Sequence, residues 1–106
     1  MAKLGNKNRR MGFSYEQRFA TKLLKQGAQK VTRHYGSLGI SDIEWVDSLG
    51  FKNEAQLKFS SIRLPKVSAK EMERIKPYAK KIKKKGIKCW IVCKMSHGAE
   101  IWTAMN

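Results

Sequence analysis

Two hydrophobic periods alternate along the chain. Phe19, Ala20, Leu23 and Leu24 recur at helical spacing. Ser14 is placed to cap that helix, with Gln17 in the capping-box position, and Gly27 is placed to stop it. Gln29 to His34 is a short β-prone stretch closed by the turn-forming run Gly36-Ser37-Leu38-Gly39. Asp42 to Val46 alternates polar and apolar, as a half-buried strand does. After a turn over 47–53, containing Gly50, the alternation resumes from Glu54 to Phe59. There Glu54, Gln56 and Lys58 share one face, and Ala55, Leu57 and Phe59 share the other. Ser60 to Lys66 reads as a loop. Ser68 then opens a second helix, Glu71 completing the box Ser-x-x-Glu. Met72, Ile75, Ala79 and Ile82 form its apolar face, Gly86 ends it, and Pro77 is expected to kink or divide it. The near-continuous apolar run Ile87 to Met95 suits a central strand covered on both faces. Ser96-His97-Gly98 turns into a last strand, Glu100 to Ala104.

The expected order is α-β-β-β-α-β-β, a single α/β domain with a central mixed five-stranded sheet and helices packed on it. At 106 residues there is room for one modest core. Residues 1–12, with Lys3, Lys7, Arg9 and Arg10 among Gly and Asn, read as a flexible basic arm before a domain over 13–106.

Charge changes the picture most. Lys and Arg number 23 against 8 Asp and Glu, a formal net charge of +15, and such an excess calls for a polyanionic partner. No apolar run approaches the ~20 residues of a membrane helix, and neither helix shows the wide apolar face of a membrane-surface protein. The basic N-terminus lacks the apolar stretch of a signal peptide, so a cytoplasmic location is expected. Cys89 and Cys93 would stand ~13 Å apart along one strand, too far for a disulfide. Without further ligands at zinc spacing they read as buried thiols. Trp45, Trp90 and Trp102 all fall in strands and read as core or interface residues. The run Lys80-Lys81-Ile82-Lys83-Lys84-Lys85 suits a helix C-terminus. It also suits sequence-independent phosphate contact.

Acids are scarce, so their placement is informative. Asp42 begins a strand, and Gln56-Leu57-Lys58 lies on the next one. A hairpin pairing Asp42 with Lys58 would put Glu44 opposite Gln56. Phosphodiester hydrolysis uses a hard cation held by carboxylates, together with a protein cation near the phosphate. Asp42, with Glu16 on the first helix, suits the first task and Lys58 the second, while Gln56 offers a neutral carbonyl oxygen.

These pieces resemble the PD-(D/E)xK nuclease superfamily, most closely its archaeal-type and viral Holliday junction resolvases. The resemblance rests on Tyr15-Glu16, Arg33 to Gly39, Ser41-Asp42-Ile43 and Gln56-Leu57-Lys58-Phe59-Ser60, and on matching element order over nearly the whole chain. It implies a restriction-endonuclease-like fold and a catalytic set of Glu16, Ser37, Asp42, Gln56 and Lys58. Glu16, Asp42 and Gln56 would bind Mg²⁺ or Mn²⁺, with no small-molecule cofactor. It also implies an endonuclease that resolves four-way junctions, acting as a homodimer, and an archaeal or viral source suits it. Phosphate contacts are expected from Lys3, Lys7, Arg9, Arg10, Arg33, Lys52 and Arg63. Where most members have Glu-x-Lys, this chain has Gln56-x-Lys58, a pattern shared with a transposon end-cleaving endonuclease subunit. Glu44 or Glu54 is the expected compensation for the missing charge. The alternatives are a nuclease of the same superfamily acting on duplex or nicked DNA, and a basic nucleic-acid-binding module without catalysis.

Overall fold

The computed structural model describes residues 2–34 and 41–106, with side chains from Ser14 onward. Its elements are α1 (Ala2–Lys25), β1 (Gln29–Arg33), β2 (Ile43–Val46), β3 (Lys52–Ser60), α2 (Ala69–Lys83), β4 (Ile87–Met95) and β5 (Glu100–Ala104). The strands form one five-stranded sheet in the order β1-β2-β3-β4-β5. All neighbours are antiparallel except β3 and β4, which run parallel. That single parallel pair requires a crossover, and α2 supplies it. The expected order and mixed α/β architecture are what the chain adopts.

Each helix covers one face of the sheet. On the α1 face, Tyr15, Phe19 and Leu23 pack with Ile43, Trp45, Ala55 and Val92, and Leu57, Phe59, Trp90 and Trp102 border them. Phe19 is stacked on Trp102 at 5.3 Å between ring centroids and meets Trp45 edge-on at 6.0 Å. The three tryptophans therefore share one aromatic cluster on this face. On the other face Ile75, Ala79 and Ile82 of α2 pack on Cys89 and Ile91, with Cys93 alongside. Both thiols are free, and burial raises both above the ordinary thiol range, Cys89 to about 11.

Local signals account for the helix ends. At the end of α1, Ala28 N–H donates to Leu23 O and Gly27 N–H to Leu24 O, with Gly27 at φ 93°. This is a Schellman stop, and it needs the left-handed conformation that glycine adopts without steric cost. The Ser68–Glu71 capping box forms at the start of α2.

Three expectations are corrected. First, α1 starts at Ala2, so Ser14 lies inside it instead of capping it, and the backbone over 2–12, in the stretch expected as an arm, is helical. Gly5 and Gly12 each cost a helix about 1 kcal/mol relative to Ala, but no proline interrupts the hydrogen-bond ladder. Second, α2 runs undivided through Pro77, which is exposed. The helix is held on both sides of that residue by Ile75, Ala79 and Ile82. Third, the β2–β3 register is displaced by two residues. Glu44 faces Glu54 and Ile43 faces Ala55, so Lys58 does not sit opposite Asp42. A compact turn decides this: Asp47 N–H donates to Phe51 O, which starts β3 earlier than the turn expected over 47–53.

Candidate active site at the open end of the β2–β3 pair

Pairing between β2 and β3 ends at Ile43–Ala55, while β3 continues to Ser60 alongside β4. Beyond Ala55 the β2-side backbone groups of β3 have no strand to bond, and buried backbone donors need partners. Asp42 fills the gap. Its N–H donates to Ala55 O at 2.8 Å, and its Oδ2 accepts the Leu57 N–H at 2.7 Å. The carboxylate is thereby fixed between Gln56 and Lys58 in the chain, at the point where the two strands part. Burial raises the Asp42 pKa above the ordinary carboxylate range, against the opposing effects of the Leu57 N–H, Lys58 and His34.

Glu16 reaches this end from α1. Its Oε2 accepts from Arg33 Nη2 at 3.1 Å across 17 residues of sequence. Burial also raises the Glu16 pKa, and the Asp42 carboxylate pushes in the same direction while Arg33 opposes it. The two carboxylates therefore act on one another electrostatically. Arg33, expected to contact DNA, has a side chain only 13% exposed and turned to Glu16.

Gln56 and Lys58 point to the α2 face, on the predicted alternation, and both meet Glu71. Lys58 Nζ is ion-paired with Glu71 Oε2, and Gln56 Nε2 donates to the same oxygen over a long 3.4 Å. The hydrogen bond from Lys58 is the main cause that lowers the Glu71 pKa, helped by the Ser68 groups. The Gln56 Oε1 atom is buried without a hydrogen-bond partner. An unpaired buried acceptor costs about 1–3 kcal/mol.

The candidate compensating acids face one another two residues back along β3 from Gln56. Glu54 is buried, accepts from Ser41 Oγ at 2.8 Å, and is bonded by Tyr78 OH of α2. Glu44, opposite it, lies 3.6 Å from His34 Nε2. Ser37 lies outside the described residues. So do the side chains of Lys3, Lys7, Arg9 and Arg10, whose backbone belongs to α1. Lys52 and Arg63 are exposed, as is every lysine from Lys80 to Lys85. Sequence pattern places Glu71 only as a cap, and nothing in the pattern pairs Arg33 with Glu16.

The residues present fit a hard divalent cation. Glu16 and Asp42 are two carboxylates at one site, and the orphaned Gln56 Oε1 is a third, neutral oxygen that a cation would satisfy. Mg²⁺ is commonly held by only one or two carboxylates, completed by water and substrate phosphate. Among the described residues no group of three or more His, Cys, Asp or Glu side chains is arranged to hold a metal by itself.

No family model matches the sequence, and no curated protein matches it. Solved structures do match. The fold is similar to that of Archaeoglobus fulgidus Hjc, a Holliday junction resolvase from an archaeal hyperthermophile. The TM-score is 0.69 at 18% identity, over 90% of this chain and 73% of that one. The chain therefore has the fold of an archaeal Holliday junction resolvase.

Proposed function

We propose that the protein is a metal-dependent, structure-selective DNA endonuclease that resolves four-way junctions by paired phosphodiester hydrolysis. The observation that carries this reading is the Asp42 carboxylate, locked by the Leu57 N–H at the strand opening that also receives Glu16, Gln56 and Lys58. The shared fold with a junction resolvase supports it. A bound Mg²⁺ or Mn²⁺ would polarise the scissile phosphate and acidify an attacking water. Glu16, Asp42 and Gln56 Oε1 would hold it. Asp42 enters the reaction already oriented, because its strand-end hydrogen bond leaves little freedom to the carboxylate. Lys58, released from Glu71, would stabilise negative charge developing on the phosphoryl oxygens. Ser37 would assist at the same phosphate. Lys52, Arg63 and the basic residues of α1 would contact backbone phosphates, which position a junction without reading its bases. A homodimer would present two such sites to the two strands cut.

The test is cleavage of a labelled four-way junction beside a matched duplex, in Mg²⁺ or EDTA, by the wild type and by Lys58→Met. Metal-dependent paired nicks in the junction alone, lost in the variant, are expected. Equal cutting of duplex would assign a different nuclease specificity. Tight binding without cuts, in Mg²⁺ or with Mn²⁺ in its place, would leave a binding module, the reading that neutral Gln56 and ion-paired Lys58 favour.

A further inference from the structure

Gln56 stands where the resembled family has a carboxylate, and the β2–β3 register places Glu44 opposite Glu54, two residues back along β3 from it. The acid that does meet Gln56 comes from α2. Glu71 divides its two oxygens between two tasks. Oε1 turns back toward the Ser68 N–H at 3.5 Å to close the capping box, while Oε2 projects to the sheet and meets both Gln56 Nε2 and Lys58 Nζ.

An ionised carboxylate can only accept hydrogen bonds, whereas the two ends of an amide differ, one donating and one accepting. Glu71 therefore selects which way Gln56 lies. The NH₂ end must face Glu71, which turns the carbonyl Oε1 away, into the place where it is buried and unpaired. Without Glu71, nothing in these contacts would stop the amide from rotating by half a turn and presenting its NH₂ group in that place. An NH₂ group repels a cation. A glutamate at 56, by contrast, would need no orienting, since its oxygens are equivalent, and it would be repelled by Glu71. Gln56 and Glu71 thus suit each other, and neither suits the other's alternative.

We infer that Glu71 is a positioning residue, which fixes the Gln56 amide so that a neutral side chain can present an oxygen to a divalent cation while Lys58 is held beside it. This rests on the metal-dependent reading above and deepens it.

The test is a four-variant cycle on the full chain without DNA: wild type, Glu71→Gln, Gln56→Glu and the double variant. Each is read by Mn²⁺ titration calorimetry and by apo melting temperature, with Ser68→Ala as a capping control. In the wild-type background Glu71→Gln is expected to weaken Mn²⁺ binding about 10- to 100-fold, the range for loss of a ligand's outer partner. It should also lower the apo melting temperature. In the Gln56→Glu background the same substitution should raise the melting temperature and leave Mn²⁺ affinity equal or tighter. Ser68→Ala should lower the melting temperature and leave Mn²⁺ affinity within twofold of wild type.

Wild-type affinity in Glu71→Gln overturns the inference, with the metal reading intact. So does an equal loss of affinity in Ser68→Ala, because the effect would then belong to the helix cap. A melting shift of the same sign in both backgrounds overturns it as well. If the wild type binds no Mn²⁺ while the melting shifts invert in sign, the Glu71–Gln56 match stands and the metal reading fails.

Discussion

Asp42 offers the sharpest separation of what a carboxylate does for the fold from what it does for chemistry. In the folded chain it makes one backbone hydrogen bond through its side chain, from Leu57 N–H at 2.7 Å, and bears a charge whose burial raises its pKa. Alanine removes both features and strands the Leu57 N–H at the strand opening. An unsatisfied donor costs about 1–3 kcal/mol. In a domain of this size each kcal/mol moves the melting temperature by about 4 °C. Asp42→Ala should therefore melt about 4–12 °C below Asp42→Asn, which lacks the charge but keeps the acceptor.

Asparagine keeps an acceptor oxygen for Leu57 and removes only the charge. A carboxyl whose folded pKa is raised contributes its full stability below the unfolded value, near 3.9. That contribution is lost as pH rises through the folded value. At neutral pH the wild type therefore carries a destabilising charge that Asp42→Asn lacks. The asparagine variant should melt no lower than wild type at neutral pH, and any advantage should vanish in acid. Under the proposed function it should nonetheless lose metal-dependent cleavage. Melting curves across a pH series, run on all three proteins, test this reasoning. It is refuted if asparagine costs as much stability as alanine, since the Leu57 bond would then be immaterial. Full cleavage by Asp42→Asn would remove Asp42 from the site.

Three further outcomes follow from the same geometry. Phe19→Ala, which empties the centre of the aromatic cluster against Trp102 and Trp45, should cost about 3–5 kcal/mol in urea unfolding; a loss near zero would mean that the α1 face does not pack as described. Tyr78→Phe removes one of two donors to the buried Glu54 and should cost about 1.5–3 kcal/mol near neutrality. Burial, with Glu54 beside it, pushes the Tyr78 hydroxyl up to about 12, so its contribution is present below the free-tyrosine pKa near 10 and fades as pH rises toward 12; a pH-independent difference between the two proteins would contradict this. Because burial raises both Glu16 and Asp42, Mn²⁺ affinity should begin to fall on acidification above the ordinary carboxylate range of about 3.9–4.3; affinity that holds flat down to that range would argue against these two ligands.

Much of the fold is legible in the order of residues, wherever the cause is local. The apolar spacing of Phe19 and Leu23, and of Ile75, Ala79 and Ile82, selects the buried stripe of each helix. Alternation along β3 sends Gln56 and Lys58 to one face and Leu57 to the other, because strand side chains alternate by geometry. Gly27 and the Ser68–Glu71 box end and begin helices through bonds spanning a few residues. Glu16, Asp42, Gln56 and Lys58 can likewise be singled out by type and spacing alone.

Their relations to one another depend on the packed molecule. The displacement of Glu44 from Gln56 to Glu54 follows from how the 47–51 turn closes, and a two-residue shift preserves every side chain's face, so the alternation pattern cannot distinguish the registers. The ion pair of Arg33 with Glu16 joins β1 to a helix 17 residues earlier. The meeting of Glu71 with Lys58 spans 13 residues and needs α2 to cross back over β3. Charge, periodicity and capping are properties of neighbouring residues and act before the chain is packed. Which carboxylate faces which amide is settled only when helices and strands dock, because a difference of a few ångströms in their placement decides whether a hydrogen bond exists.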